Sequence, residues 1–235
     1  TVTIAVSDDV TFEGSFPDTT DSTTTIAALK TLTLAASLAS GEIITGTGTV
    51  SITALDQTLA ADLSNITTDT ISAAFDNTGE FTGTLSNGSK NITVNIADGQ
   101  TFKTAMRIAA AGKVIFDDGN NSGILQLNVS SNANDKNKDL TSEAVIKFSD
   151  MNQVFVHIDE DLTLDSSAKL FSSPSNDRKV KVADSVTFTA TTTQLTSQFI
   201  GRQGSGTTKI IGTDLQDTPD LDAEDFAATE MEYTI

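Results

Sequence analysis

Apolar and hydroxylated residues alternate with a period of two along much of the chain, as in Val2-Thr3-Ile4-Ala5-Val6, Leu32-Thr33-Leu34, Val50-Ser51-Ile52, Ile92-Thr93-Val94-Asn95-Ile96 and Val180-Lys181-Val182. Such alternation turns one face of a strand to a core and the other to water, so these segments are predicted as half-buried β-strands. Helical periodicity is confined to two places. Leu55, Leu59, Leu63 and Ile66 recur at spacings of four, four and three, and the stretch from Thr104 to Ala111 is rich in alanine. Each predicts a short helical turn at most, and the fold class is all-β.

A frame recurs within this pattern. Val2 and Ile4 lead through Asp9 to Val10-Thr11-Phe12; Val94 and Ile96 lead through Asp98-Gly99 to Thr101-Phe102; Val180 and Val182 lead through Asp184 to Val186-Thr187-Phe188. A looser copy runs from Val156 and Ile158 through Asp161 to Leu162-Thr163-Leu164. Each copy reads as strand, Asp-containing bend, strand. Strand starts near positions 2, 32, 50, 71, 94, 114, 145, 156, 180 and 210 are often about 20 to 24 residues apart, the coil length of a parallel β-solenoid. The closer pairs, 94 with 102 and 180 with 188, also fit an antiparallel β-sandwich or jelly roll, which stays as the alternative architecture. The 235 residues suit a single β-rich domain. The polar stretch 130–139 is the candidate subdomain boundary, and 214–235 is an acidic C-terminal segment.

Composition narrows the function. Thr (38) and Ser (23) together make up about a quarter of the chain, with 24 Asp, one Tyr, no Trp and no Cys. Without cysteine there is no disulfide framework, thiol nucleophile or thiolate zinc site. A formal charge of −18 excludes binding of nucleic acid through phosphate neutralisation and disfavours a helix lying on an anionic membrane. No apolar run approaches the roughly 18 residues of a membrane span. Residue 1 opens directly into a strand pattern, so the expectation is a soluble chain whose export leader has been removed or lies outside this sequence. Charge is uneven: seven of the 14 Lys and Arg fall within 136–181, whereas the segment from Asp214 to Ile235 holds eight acids and no base. A basic middle and an acidic end invite contact between copies, and a solvated tail is the plainer reading of that end.

Candidate chemistry is sparse. His157 is the sole histidine and shares strand parity with Asp159, Asp161, Thr163 and Asp165. A continuous strand would line these up on one face, where Asp159, Asp161 and Asp165 could hold Ca²⁺ through hard oxygen ligands, or His157 and the carboxylates could act as acid and base. A solvated outer face, with Asp161 in a turn, accounts for the same residues. Asp117 and Asp118, in the run Asp117-Asp118-Gly119-Asn120-Asn121, are a second oxygen-rich candidate for Ca²⁺, although a tight hairpin turn explains them and the bidentate Glu of a helix-loop-helix calcium site is missing. The glycine-rich run from Gly41 to Gly48 lacks the Lys-Ser/Thr ending of a phosphate loop, so its glycines are assigned to close backbone stacking or a bulge. No Gly-x-Ser-x-Gly elbow accompanies any serine, and the chain is read as not an enzyme. Five Asn-x-Ser/Thr sequons are no clear excess over chance, and Thr ladders such as Thr45, Thr47 and Thr49 are read as ordinary strand-face chemistry before an ice-binding face.

The segment Ile44-Thr45-Gly46-Thr47-Gly48-Thr49-Val50-Ser51-Ile52, with the stretch from Leu55 to Ile66 that follows, resembles the repetitive segments of large secreted bacterial adhesins and haemagglutinin-like proteins. The resemblance covers about 25 residues. It implies an extracellular structural or adhesive role and carries over no catalytic residue. The expected function is therefore that of an extracellular structural protein, a self-assembling subunit of a cell-surface filament, layer or adhesin. Its expected partners are other copies of itself and surface glycans, with neither nucleic acid nor membrane insertion. Assembly is assigned to strand edges at Val2, Ile4 and Val6 and at Tyr233 and Ile235. A β-helix lyase or glycosidase acting on polysaccharide, and a phage tail-spike or fibre segment, are the alternatives.

Overall fold

The structure, a computed structural model, describes residues 2–16, 22–86, 89–110, 113–119, 122–132, 146–151, 153–164, 178–191, 202–203, 207–211 and 231–234. The chain winds as a parallel β-solenoid of about six turns. The first coil supplies β1 (Val2–Val6) and β2 (Val10–Phe12), and the second β3 (Ser22–Ile26), β4 (Thr31–Ala35) and a one-turn helix α1 (Ala36–Ala39). Then come β5 (Ile44–Gly46), β6 (Thr49–Thr53), a 3-10 turn at Leu55–Gln57, β7 (Thr70–Phe75) and β8 (Gly79–Phe81). They are followed by β9 (Ile92–Ile96), β10 (Thr101–Ala105), α2 (Met106–Ala109), β11 (Val114–Asp117) and β12 (Ile124–Val129). The remaining strands are β13 (Ile146–Asp150), β14 (Gln153–Ile158), β15 (Leu162–Thr163), β16 (Arg178–Val182), β17 (Thr187–Thr191), β18 (Arg202–Gln203), β19 (Thr207–Ile211) and β20 (Met231–Thr234).

Apart from β6 with β7 and β19 with β20, strands adjacent in sequence enter different sheets, and each pairs in parallel with its counterpart one coil away. The sheets run β1-β3-β5, then β13-β11-β9-β7-β6-β4-β2, β18-β16-β14-β12-β10-β8 and β15-β17-β19-β20. The solenoid is thus the architecture, and the antiparallel alternative falls. The close strand pairs that fitted a hairpin are the two sides of a coil corner. Coil length varies: Leu32 pairs with Val50, eighteen residues on, and Ile115 with Lys147, thirty-two on. Ladders β11–β13 and β12–β14 link the coils on either side of the polar stretch 130–139.

Register turns the alternation into stacked columns. In the seven-stranded sheet, Leu32, Val50, Ile71, Ile92 and Val114 succeed one another, as do Leu34, Ile52, Ala73, Val94 and Phe116; all are buried. Outward on the same strands stand Thr33, Ser51, Ser72 and Thr93, half-buried between their neighbours. Apolar side chains in such a column lose water on both flanks, each contributing about 1.5–3 kcal/mol when fully buried. Phe102 centres an aromatic cluster, with ring centroids 4.6 Å from Phe75, 5.4 Å from Phe116 and 5.9 Å from Phe81. Thr104, fully buried in that region, is satisfied by donating its hydroxyl to Phe81 O at 2.9 Å.

Both short helical turns read from the sequence are present, each shorter than the spacing or composition that pointed to it. The Leu55 to Ile66 spacing produces only the 3-10 turn, after which Asp62 bridges Thr84 and Ile66 bridges Ile44. Leu55, Leu63 and Ile66 are buried because a solenoid corner, like a helix face, turns every third or fourth residue inward. The alanine-rich stretch is strand as far as Ala105 and helix only over Met106–Ala109. Gly46 explains part of the glycine run: its φ is +115°, and a Cβ there would overlap the Ile26 carbonyl of the preceding coil.

Candidate functional site

Polar side chains concentrate at the coil corners and on the outer face of the six-stranded sheet. At the corners, backbone N–H groups of one coil donate to carboxylates of the coil before it. Thr31 donates to Asp9 Oδ1 at 2.8 Å, Asp76 to Asp56 Oδ1 at 3.4 Å, Ser122 to Asp98 Oδ1 at 3.0 Å and Thr187 to Asp161 Oδ1 at 2.7 Å. Donor and acceptor are 20 to 26 residues apart, one coil in each case. Ser40 Oγ receives Asp62 N–H at 2.9 Å in the same manner, and in the opposite sense Gln100 Oε1 receives the N–H of Thr78, one coil earlier, at 2.9 Å. These clamps satisfy main-chain donors where the strand ladders stop. The Ser122 hydroxyl also donates to Asp98 Oδ1, and this bond, more than that from the Ser122 N–H, holds the Asp98 carboxyl below its ordinary value.

The row expected from His157 to Asp165 does not form as one strand face. Strand β14 ends at Ile158, the chain bends, and β15 belongs to another sheet, because Asp161 is occupied at the corner by Thr187 N–H. Asp159 is exposed past the strand end, and Asp165 lies outside the described residues. Asp117 accepts its own turn's Gly119 N–H at 2.7 Å, while Asp118 is 2% exposed. Their loop joins strands of two different sheets, so it is a corner and not a hairpin. Among the described residues no group of three or more His, Asp or Glu is placed to hold a metal ion. No described helix is long and apolar enough to cross a membrane.

Of the residues assigned to assembly, Val2 is 40% exposed, Ile4 half-buried and Val6 buried against the core. Strands β1 and β2 are edge strands, and Val10 on β2 is 41% exposed. Tyr233, on the edge strand β20, pairs in register with Ile210 on β19, and Ile235 lies outside the described residues.

On the outer face of the six-stranded sheet, one register column reads Glu80, Lys103, Gln126, Phe155, Lys179 and the next Ala105, Asn128, His157, Lys181, Gln203. Gln126 Nε2 donates to Asn128 Oδ1 at 2.9 Å, and Asn128 Nδ2 donates to Glu80 Oε1 at 3.2 Å. His157 is held below its ordinary value, first by partial burial and then by Lys181 and Lys103, against the opposing pull of Asp159 and Glu80. Its imidazole is therefore neutral at pH 7. No protein-family model, curated protein or solved structure matches this chain. The polar chemistry of the described residues falls into two sets, the corner clamps and this outer face. Of the second, sequence reasoning singled out His157 alone. Lys103, Gln126, Asn128 and Phe155 share its face only through register offsets of 23 to 29 residues, which no local spacing displays.

Proposed function

We propose that this chain is an extracellular structural protein, a self-assembling subunit of a cell-surface filament, layer or adhesin. The observation that carries the reading is the repeated corner clamp, in which Asp9, Asp56, Asp98 and Asp161 each tie a coil to the next. Acidic side chains are spent on holding coils together, which is what a rod bearing load along its stack requires. Hydroxylated strand faces, the −18 charge and the absence of cysteine suit a wet, oxidising setting.

Edge strands β1 and β2 offer the route of assembly. Unpaired main-chain groups along a strand edge accept a further parallel strand, and exposed Val2 and Val10 add apolar area to that contact. The double variant Val2→Lys with Val10→Lys places charge at the edge, at the outermost rung above Ser22 and Leu32. Sedimentation velocity across a concentration series should show wild-type polymers and a monomeric variant with unchanged circular dichroism. Equal polymerisation of the two would remove this edge from the mechanism.

A further inference from the structure

The six-stranded sheet departs from the charge of the rest of the chain. Its register positions of outward parity carry Lys103, Lys179 and Lys181 against a single acid, Glu80, with Asp159 just past the end of β14, in a chain whose formal charge is −18. Glu80 is engaged by the Asn128 amide. Elsewhere Lys30 is paired with Asp8 at 3.6 Å and Lys90 with Asp69 at 2.8 Å, whereas Lys103 and Lys181 form no ion pair with any described residue. Between these two uncommitted cations stand Gln126, Asn128, Phe155 and His157, all half-buried and all of outward strand parity.

We infer that this face binds a linear acidic polysaccharide laid across the strands, along the solenoid stack. Charge complementarity selects a polyanion. Phe155 and the amide relay select a sugar among polyanions: a half-buried ring supplies a flat apolar surface for a pyranose face, and fixed amides exchange hydrogen bonds with hydroxyls. Geometry matches as well. Successive outward side chains in a column stand about 4.8 Å apart, the strand separation of a sheet, so a polymer lying across the strands meets a new side chain at each rung. Lys103 on β10 and Lys181 on β16 are three rungs apart, about 14 Å along that path, far enough to engage carboxylates or sulfates on separate sugars. Neutral His157, next to Lys181 and Asn128 in register, adds a hydrogen-bonding group between them. The site is independent of the assembly edge.

Isothermal titration of the full chain with polygalacturonate, alginate, hyaluronan and heparan sulfate at low salt tests the inference, with methyl-esterified polygalacturonate as the uncharged control and polyglutamate as the acidic polypeptide. The expected result is binding to at least one acidic polysaccharide that weakens as salt rises, with none to the esterified control. Lys103→Glu with Lys181→Glu should weaken it about tenfold or more, each exposed charge contact being individually modest. Phe155→Ala should weaken polysaccharide binding while leaving the circular dichroism and the polymers of wild type in place. No binding to any of the four acidic polysaccharides overturns the inference. So does polyglutamate binding of equal strength that ignores Phe155→Ala, which would make the face a polypeptide site.

Discussion

At the scale of single residues, the account turns on carboxylates that act across coils. Asp98 receives both the N–H and the hydroxyl of Ser122, twenty-four residues on, and its carboxyl is held below the ordinary 3.8. A carboxyl whose folded pKa is depressed contributes stability above its unfolded value and loses that contribution as pH falls through the folded one. Asp98→Ala should therefore lower the melting temperature at pH 7, and the gap to wild type should narrow as pH falls below 3.8. Thermal melts of the two proteins at pH 7 and across that range check this, and a gap that persists at low pH would show that the carboxylate charge is not what matters. Asp9, Asp98 and Asp161 were legible in the sequence as bends, since each separates two alternating runs. Their partners were not legible, because a hydrogen bond to a residue one coil away leaves no local pattern. For His157 and Asp161, the row on one strand face fails because β14 ends at Ile158, and the other reading, Asp161 in a turn, is the one the corner shows.

At the scale of elements, one corner recurs between sheets. Ala27, Ala97 and Ala183 each accept the N–H of the residue three on, from Lys30, Gln100 and Val186. The third residue of each turn has positive φ: Leu29 at 61°, Gly99 at 69° and Ser185 at 63°. Only glycine adopts that region without steric cost. Opposite substitutions in one corner type should then have opposite signs. Gly99→Ala should destabilise by about 1 kcal/mol, whereas Leu29→Gly, at a side chain 96% exposed, should leave stability unchanged or raise it by up to about 1 kcal/mol. Denaturant unfolding of both variants reads the two signs, and loss of stability in Leu29→Gly would show that its side chain makes a contact in the folded chain. Strand existence and coil length were readable because alternation and a 20-to-24-residue recurrence follow directly from stacking parallel coils. The short helical turn read from Leu55 to Ile66 is the 3-10 turn at Leu55–Gln57, and the rest of that spacing is corner, since a tight corner and a helix both bury residues three or four apart.

At the scale of the whole molecule, parallel stacking makes the chain a rod with buried apolar columns, clamped corners, a hydroxylated face on the seven-stranded sheet and a basic face on the six-stranded one. The first two properties concern strength, and the last concerns what the rod touches. An acidic chain keeps its copies apart in solution, so joining them requires the directional pairing that a strand edge provides. Central to the account is the claim that copies continue one another's parallel stack. Electron cryo-microscopy of the purified chain, taken from dilute to concentrated solution, tests it most directly. Polymers whose strand repeat of about 4.8 Å runs unbroken through every junction between copies are the predicted result. Uniform single particles at all concentrations, or polymers whose junctions interrupt that repeat, would contradict it.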